Sequence, residues 1–432
     1  MSSKTKTTAT KEEAKPALVP KLRFPKFQKE AKWQVKKLNE LLFEPKKRNR
    51  NLELGPSDVL SVSGEHGCVN QIEFMGRSYA GVSVKDYHVV EHGDIVYTKS
   101  PLKKNPFGII KENKGKRGIV STLYAVYRPF PDCSGTYLDH FFSGDYNLNA
   151  YLQPLVKKGA KNDMKVNNAD VLKGDICVPK LPEQQKIAEC LSSVDGLMAA
   201  QARKVDALKT HKKGLMQQLF PREGETQPRL RFPEFQDAGE WEETRLGRLG
   251  ELVSGLTYSP DDVRESGLLV LRSSNVQNGE IALDDCVYVD PSIKGANLSQ
   301  PNDILICVRN GSKALIGKCA LIPDGMPLCT HGAFMTVFRA KPPSFVFQLF
   351  QTDRYQKQVA GDLGATINSI NGGQLLKYEF FVPKPPEQQR IASCLSSLDA
   401  LITLESQKLE ALKTHKKGLM QQLFPSPEGV EA

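Results

Sequence analysis

The chain has 432 residues, more than one simple core holds, so two or three domains are expected. Hydrophobic residues make up 40% and charged residues 25%, the balance of an ordinary globular protein, and no apolar run is long enough for a membrane-spanning helix. A formal charge of +10 attracts polyanions, and nine cysteines without a C-x-x-C pair point to reduced thiols in a cytosol rather than a disulfide framework or a zinc knuckle.

Residues 1–19 carry lysines but no apolar stretch of the secretory kind, and read as a disordered basic tail. A first domain, 20–181, opens on PKLRFPKF (Pro20–Phe27) and Trp33. It continues through strand-like GDIVYTKS from Gly93, a basic stretch KSPLKKNPFGIIKENKGKRG, and a second strand-like segment, VLKGDICVP, from Val171. A helix follows over 182–221, where Pro182 and Glu183 suit a first turn and Pro221 a stop.

After a linker at 222–227 the pattern restarts. PRLRFPEF (Pro228–Phe235) and Trp241 open a second domain, 228–385. Its segments LLVLRSSNV, DILICV, MTVFRA and YEFFVP read as short strands separated by QNGE and IPDG turns, with a helical piece from Pro343. A second helix covers 386–425, and 426–432 is a tail. PKLPEQQKIAECLSSVDGL (Pro179–Leu197) matches PKPPEQQRIASCLSSLDAL (Pro383–Leu401), and ALKTHKKGLMQQLFP recurs letter for letter at Ala207 and Ala411. Between these motifs the halves share only short echoes, GDIVYTKS against NDILICVRNGS being one. Two large copies make a duplicated domain, not an array.

Both helices carry a heptad seam. In the first it runs through Ile187, Leu191, Val194, Met198, Gln201, Val205, Leu208, Lys212, Leu215 and Leu219. In the second it runs through Ile391, Leu395, Leu398, Ile402, Glu405, Leu409, Leu412, Lys416, Leu419 and Leu423. Each helix of about 37 residues should be roughly 55 Å long at 1.5 Å per residue. Two near-identical stripes in one chain are natural partners for each other about a pseudo-twofold axis, as in an isologous dimer; packing of each helix on its own half is the alternative. The expected fold is α+β: two similar α+β domains separated by two long helices that form an antiparallel coiled coil.

Enzyme signatures are missing. GSKALIGKC at Gly311 has its glycines one residue too far apart for a phosphate loop, and Cys319 stands where Ser or Thr belongs. KNPFGI at Lys104 lacks the second proline of an amino-methyltransferase motif, and the seven histidines show no ligand spacing. The chain is expected to make no bonds itself and to hold no cofactor or metal.

The ordered double set, LRFPxF…W, variable filling, then P-x-P-E-Q-Q and a helix ending LMQQLF, resembles the specificity subunit of type I restriction-modification systems, from about Pro20 to Pro425. The resemblance implies two target-recognition domains that each read half of a bipartite, asymmetric site in double-stranded DNA. It implies helices that act as spacer and dock two methyltransferase (M) subunits, with restriction (R) subunits joining through the complex. AdoMet, ATP and Mg2+ would then belong to those partners, and the location would be cytoplasmic. The alternative is a non-enzymatic protein-binding adaptor, or an anti-restriction homologue of the same fold.

Phosphate contacts call for Lys or Arg on loops, and base readout for Arg, Lys, Asn or Gln on a scaffold. In the first domain the candidates are Lys99, Lys103, Lys104, Lys111, Lys114, Lys116 and Arg117, with a second cluster at Lys157, Lys158 and Lys161. In the second they are Arg309, Asn310, Ser312 and Lys313, at the place matching Lys99, together with Asn368. The apolar seam residues of both helices, from Ile187 to Leu219 and from Ile391 to Leu423, are the candidates for helix pairing and partner docking.

Overall fold

A computed structural model describes residues 19–98, 104–158, 164–363 and 368–425. The two expected tails lie outside these residues except for Val19. The chain is a mixed α/β protein that divides into two compact units, Met1–Gln201 with Lys408–Ala432, and Ala202–Gln407. Both boundaries fall inside long helices. Each unit therefore contains the front half of one long helix and the back half of the other, so the sequence repeat and the compact unit are offset by half a helix.

In the first unit a four-stranded antiparallel sheet runs in the order Leu42–Phe43, Tyr124–Pro129, Ile95–Thr98, Ile109–Glu112. Its central strand is buried on both faces by period-two alternation. Ile95 and Tyr97 join the cluster around Trp33, Tyr137 and Phe142, while Val96 joins Leu60, Val90, Val120 and Val126 on the other side. The second unit repeats the sheet as Gly250–Ser254, Met335–Ala340, Ile304–Cys307, Cys319–Leu321. Ile304 and Ile306 face the cluster around Trp241 and Phe345, and Leu305 and Cys307 face the opposite one. It adds a second four-stranded sheet in which Leu268–Leu271 runs parallel to Cys329–His331.

The echo between GDIVYTKS and NDILICV now has a cause. Gly93 and Asn302 both turn the chain at positive φ, 82° and 66°. The buried aspartate after each then receives a two-pronged bond from an arginine on the neighbouring strand. Arg128 reaches Asp94 at 2.7 and 2.9 Å, and Arg339 reaches Asp303 at 2.9 and 2.8 Å.

The opening and closing motifs recur because they bind one another. Arg23 of LRFP clasps Glu183 of PEQQ at 2.8 and 2.7 Å, and Arg231 clasps Glu387 at 2.9 and 2.5 Å. The next residue, Gln184 or Gln388, donates to the carbonyl of Pro179 or Pro383 and fixes the chain entering the helix.

The helices span Leu181–Leu219 and Pro385–Leu423, 39 residues each, starting one residue earlier than expected. In the first unit Ile187, Ala188 and Leu191 pack among Trp33 and Tyr137, joined by Leu423 and Phe424 from the end of the second helix. In the second, Ile391, Ala392 and Leu395 pack with Met216, Leu219 and Phe220 from the end of the first. Lysines of the repeated tail close each unit. Lys416 donates to Asp195 at 2.6 Å, and Lys212 to Asp399 at 2.6 Å and to Gln351 at 2.6 Å. Within the second unit Lys204 meets Glu405 while Lys212 meets Asp399, so those two segments run antiparallel. Backbone bonds complete the seal, Leu22 N–H to Gln422 O and Leu230 N–H to Gln218 O, which satisfies carbonyls near each helix end.

The seam residues face inward. Leu215 and Leu419 pack against the unit cores, and Val194 and Val205 are buried. These seam residues therefore have a structural role in the units, as expected for helix pairing.

Removing one partner of a buried ion pair leaves the other charge uncompensated, at roughly 3–5 kcal/mol. Arg231→Ala should lower the free energy of unfolding measured in urea by that order, and adding Glu387→Gln should recover part of it. Equal loss in the single and double variants would rule out the clasp as the cause.

Candidate nucleic-acid interface

Among the described residues, the basic stretch of the first unit is split between exposed and internally tied side chains. Lys99, Lys103 and Lys161 lie outside the described residues. Lys104 and Lys116 are exposed. Lys157–Lys158 is a short strand paired with Met164–Lys165. Lys111 points inward from the strand Ile109–Glu112 and donates to Ser143 Oγ at 2.7 Å. Lys114 reaches Asp139 at 2.6 Å, and Arg117 is held by Glu53 at 3.1 Å and Glu91 at 3.2 Å.

Lys111 and Lys114 belong to an internal charged network. Burial pushes the Lys111 ammonium below the usual lysine range, against the pull of Asp139. Burial alone would raise the Asp139 carboxyl, but Lys111 and Lys114 hold it below its ordinary value. The adjacent His140 is pushed down to about 4, chiefly by burial and secondly by Lys114. It meets Ser192 Oγ at 3.0 Å and lies 3.9 Å from Asp195, which also receives Lys416. Lys111 is thus turned inward and tied to Ser143, away from the free surface expected for it, whereas Lys114 stays exposed while its ammonium reaches Asp139.

The second unit does assemble its predicted residues. Past the strand Ile304–Cys307, Arg309 is exposed and bridges backbone-to-backbone with Ser369. Asn310 donates to Ser273 Oγ at 3.0 Å and accepts from Ser312 N–H at 2.9 Å. Asn368 donates to the carbonyl of Gly311 at 3.1 Å. Lys313 starts the next turn, Lys313–Leu315. The asparagines thus shape the loop, while Arg309, Ser312 and Lys313 are exposed on it.

Two contributors escaped the sequence reading. Ser273 joins from the turn after Leu268–Leu271. Phe334 lies under the Arg309 guanidinium, 5.7 Å from carbon to ring centroid. The signal for Phe334 was a lone aromatic in HGAF between two strands, where a core residue would also fit.

The phosphate-loop lookalike folds as the turn Lys313–Leu315 leading into a strand at Cys319, not as a loop opening a helix. Asn105 of KNPFG donates to Asp145 at 3.0 Å, an internal tie. Among the described residues no group of three or more His, Cys, Asp or Glu could hold a metal ion.

Residues 238–414 match the model of the type I restriction modification DNA specificity domain. The chain is similar to the type I restriction enzyme StySPI specificity subunit of Salmonella potsdam, 26% identical over 40% of this chain and 39% of that one. It is similar to the MjaVIII specificity subunit of Methanocaldococcus jannaschii, 25% identical over 58% of this chain and 61% of that one. Both matches span less than two thirds of the relative's own length. The solved structure of a type I restriction-modification S subunit from M. genitalium superposes with a TM-score of 0.59, covering 94% of this chain and 99% of that chain. At 12% identity that likeness speaks to the fold.

The His140 node makes a pH prediction. An unfolded histidine takes up its proton near 6.5, whereas His140 resists protonation down to about 4. The unfolded state then binds more protons across that window, so stability falls as pH drops from about 6.5 to 4. His140→Gln, which copies Gln348 at the corresponding place beside Asp399, should flatten the fall in urea midpoint over that range. An unchanged slope would exclude His140 as a contributor.

Proposed function

We propose that this chain, whose residues 238–414 belong to the type I restriction modification DNA specificity family, is the DNA-reading specificity subunit of such a system. Each unit reads one part of a bipartite, asymmetric duplex site. The long helices pair as an antiparallel coiled coil about a pseudo-twofold axis and would set the spacing between the two parts. The chain makes no bonds itself; methylation of adenine and ATP-driven cleavage belong to M and R subunits, together with AdoMet, ATP and Mg2+. The setting is a cytoplasm, in keeping with a chain whose described residues include no helix long and apolar enough to cross a membrane.

One observation carries this reading. The internal frame is duplicated down to the aspartate–arginine and arginine–glutamate contacts, whereas the sequences that follow the central strands are unlike. Different rims on equal frames suit an asymmetric base sequence, because each rim can present its own donors and acceptors to base edges. Equal frames and equal helices suit two identical partners.

Those partners would meet the outer helix face. Leu197 and Leu401 occupy matching places in SSVDGL and SSLDAL and are 57% and 37% exposed. Leu197→Asp with Leu401→Asp should prevent co-purification with the methyltransferase subunits while circular dichroism stays unchanged. Assembly of that double variant at wild-type yield would remove the docking assignment.

For DNA, the assembled complex should bind duplex with a steep salt dependence. Arg309→Ala should weaken binding and reduce the slope of log K against log salt by about 1, the loss of one phosphate contact. A wild-type slope in that variant would retire Arg309 as a contact, and a complex that binds no duplex would retire the whole reading.

A further inference from the structure

The two units share a feature that their unlike loops do not predict. In the second, Phe334 sits at the tip between the strands Cys329–His331 and Met335–Ala340 and is 57% exposed. In the first, Leu123 sits at the tip between Gly118–Val120 and Tyr124–Pro129 and is 74% exposed.

The positions correspond by register. Tyr124, the residue after Leu123, pairs with Thr98, and Met335, the residue after Phe334, pairs with Cys307. Thr98 and Cys307 are the last residues of the equivalent central strands. Each tip closes with the same backbone bond, Tyr124 N–H to Ser121 O at 3.1 Å and Met335 N–H to Gly332 O at 2.8 Å.

The Phe334 tip is also held rigidly. Gly332 N–H donates to Leu271 O at 3.0 Å, Ala333 N–H to Leu256 O at 2.9 Å, and Phe334 O accepts from both Val308 and Arg309 N–H at 3.0 Å. A clamped backbone with an exposed apolar side chain is costly to the free protein unless something covers it. Single exposed apolar residues are common on surfaces. Recurrence at one register position, in rims that otherwise share little, is not.

Resting on the reading of the chain as a DNA-binding subunit, we propose that Leu123 and Phe334 are the apolar base contacts of the two readers, each pressing on a base step of its own half-site. The surroundings choose this occupant. Arg309 stands over the Phe334 ring, so a cation for the phosphate backbone and an apolar body for the bases are presented together. Apolar side chains that lodge at base steps partly unstack them, and that cost depends on the sequence being deformed. The pair would therefore add discrimination beyond hydrogen-bond readout.

The test uses the complex of this chain with its methyltransferase subunits. The methylated motif of a host carrying the wild-type complex is first read by sequencing, and duplexes with that motif and its single-base variants are then titrated. Phe334→Ala is expected to weaken binding about ten-fold and to relax discrimination at base pairs of one half-site only; Leu123→Ala should do the same in the other half. Phe334→Leu and Leu123→Met, which keep an apolar tip, should restore most of the affinity. Unfolding midpoints should stay at the wild-type value, since neither side chain is buried. Alanine variants with the wild-type motif and affinity within two-fold would overturn the inference while leaving the DNA-binding reading intact. A wild-type complex with neither a methylated motif nor sequence preference would overturn both.

Discussion

Each compact unit is closed by a carboxylate from one long helix and an ammonium from the other. Lys416 reaches Asp195 in the first unit, and Lys212 reaches Asp399 in the second. A mostly buried lysine without its carboxylate is expensive, so the contact constrains both segments at once. It also explains the verbatim recurrence in the sequence. A reciprocal arrangement needs the aspartate in the front half and the lysine in the back half of both helices, so SSxD and THKKGL must each be written twice. The apolar ends obey the same rule: Leu423 and Phe424 complete the core of the first unit, and Leu219 and Phe220 that of the second. Neither half of the sequence holds a full set of core residues by itself.

What could be read from the letters follows from this arrangement. Repetition marked the frame, because the clasp and closing residues, such as Arg23 and Arg231 or Asp195 and Asp399, meet the same partners in both copies. LRFP and PEQQ were visible as motifs, although nothing in one dimension says that Arg23 and Glu183, or Arg231 and Glu387, hold each other. Heptad spacing gave the helices to within a residue at their starts, since 39 residues of regular pattern leave little ambiguity. The central strands were legible as apolar runs bounded by a turn and a polar loop.

The rims were harder, for a physical reason. A lysine in a basic run looks alike whether it faces water or a buried acid. Lys111 is turned inward and Lys114 reaches from the surface to Asp139, which lies on a helix more than twenty residues downstream, and no local pattern announces that meeting. Arg309 kept its expected exposure because the chain leaves its strand just before it, while Asn310 and Asn368 use their side-chain amides to shape the loop. Phe334 was missed for the complementary reason: an aromatic beside a strand is read as core unless the tip geometry is known.

The pair of networks at the helix contacts shows how far the filling can change without disturbing the frame. The first unit places His140, Asp139 and Lys111 near Asp195; the second places Gln348 and Gln351 near Asp399 and Lys212. The first unit sets a neutral imidazole 3.9 Å from its aspartate and the second an amide that donates at 3.1 Å, and in both a lysine of the other helix completes the contact. Buried polar groups demand a partner, not a particular partner. So long as each aspartate and lysine is satisfied, the elements above them can differ in length, charge and rim chemistry. That tolerance is what the proposed reading of different half-sites would require. The frame bears the cost of burying charge, and the loops, relieved of that duty, are free to vary.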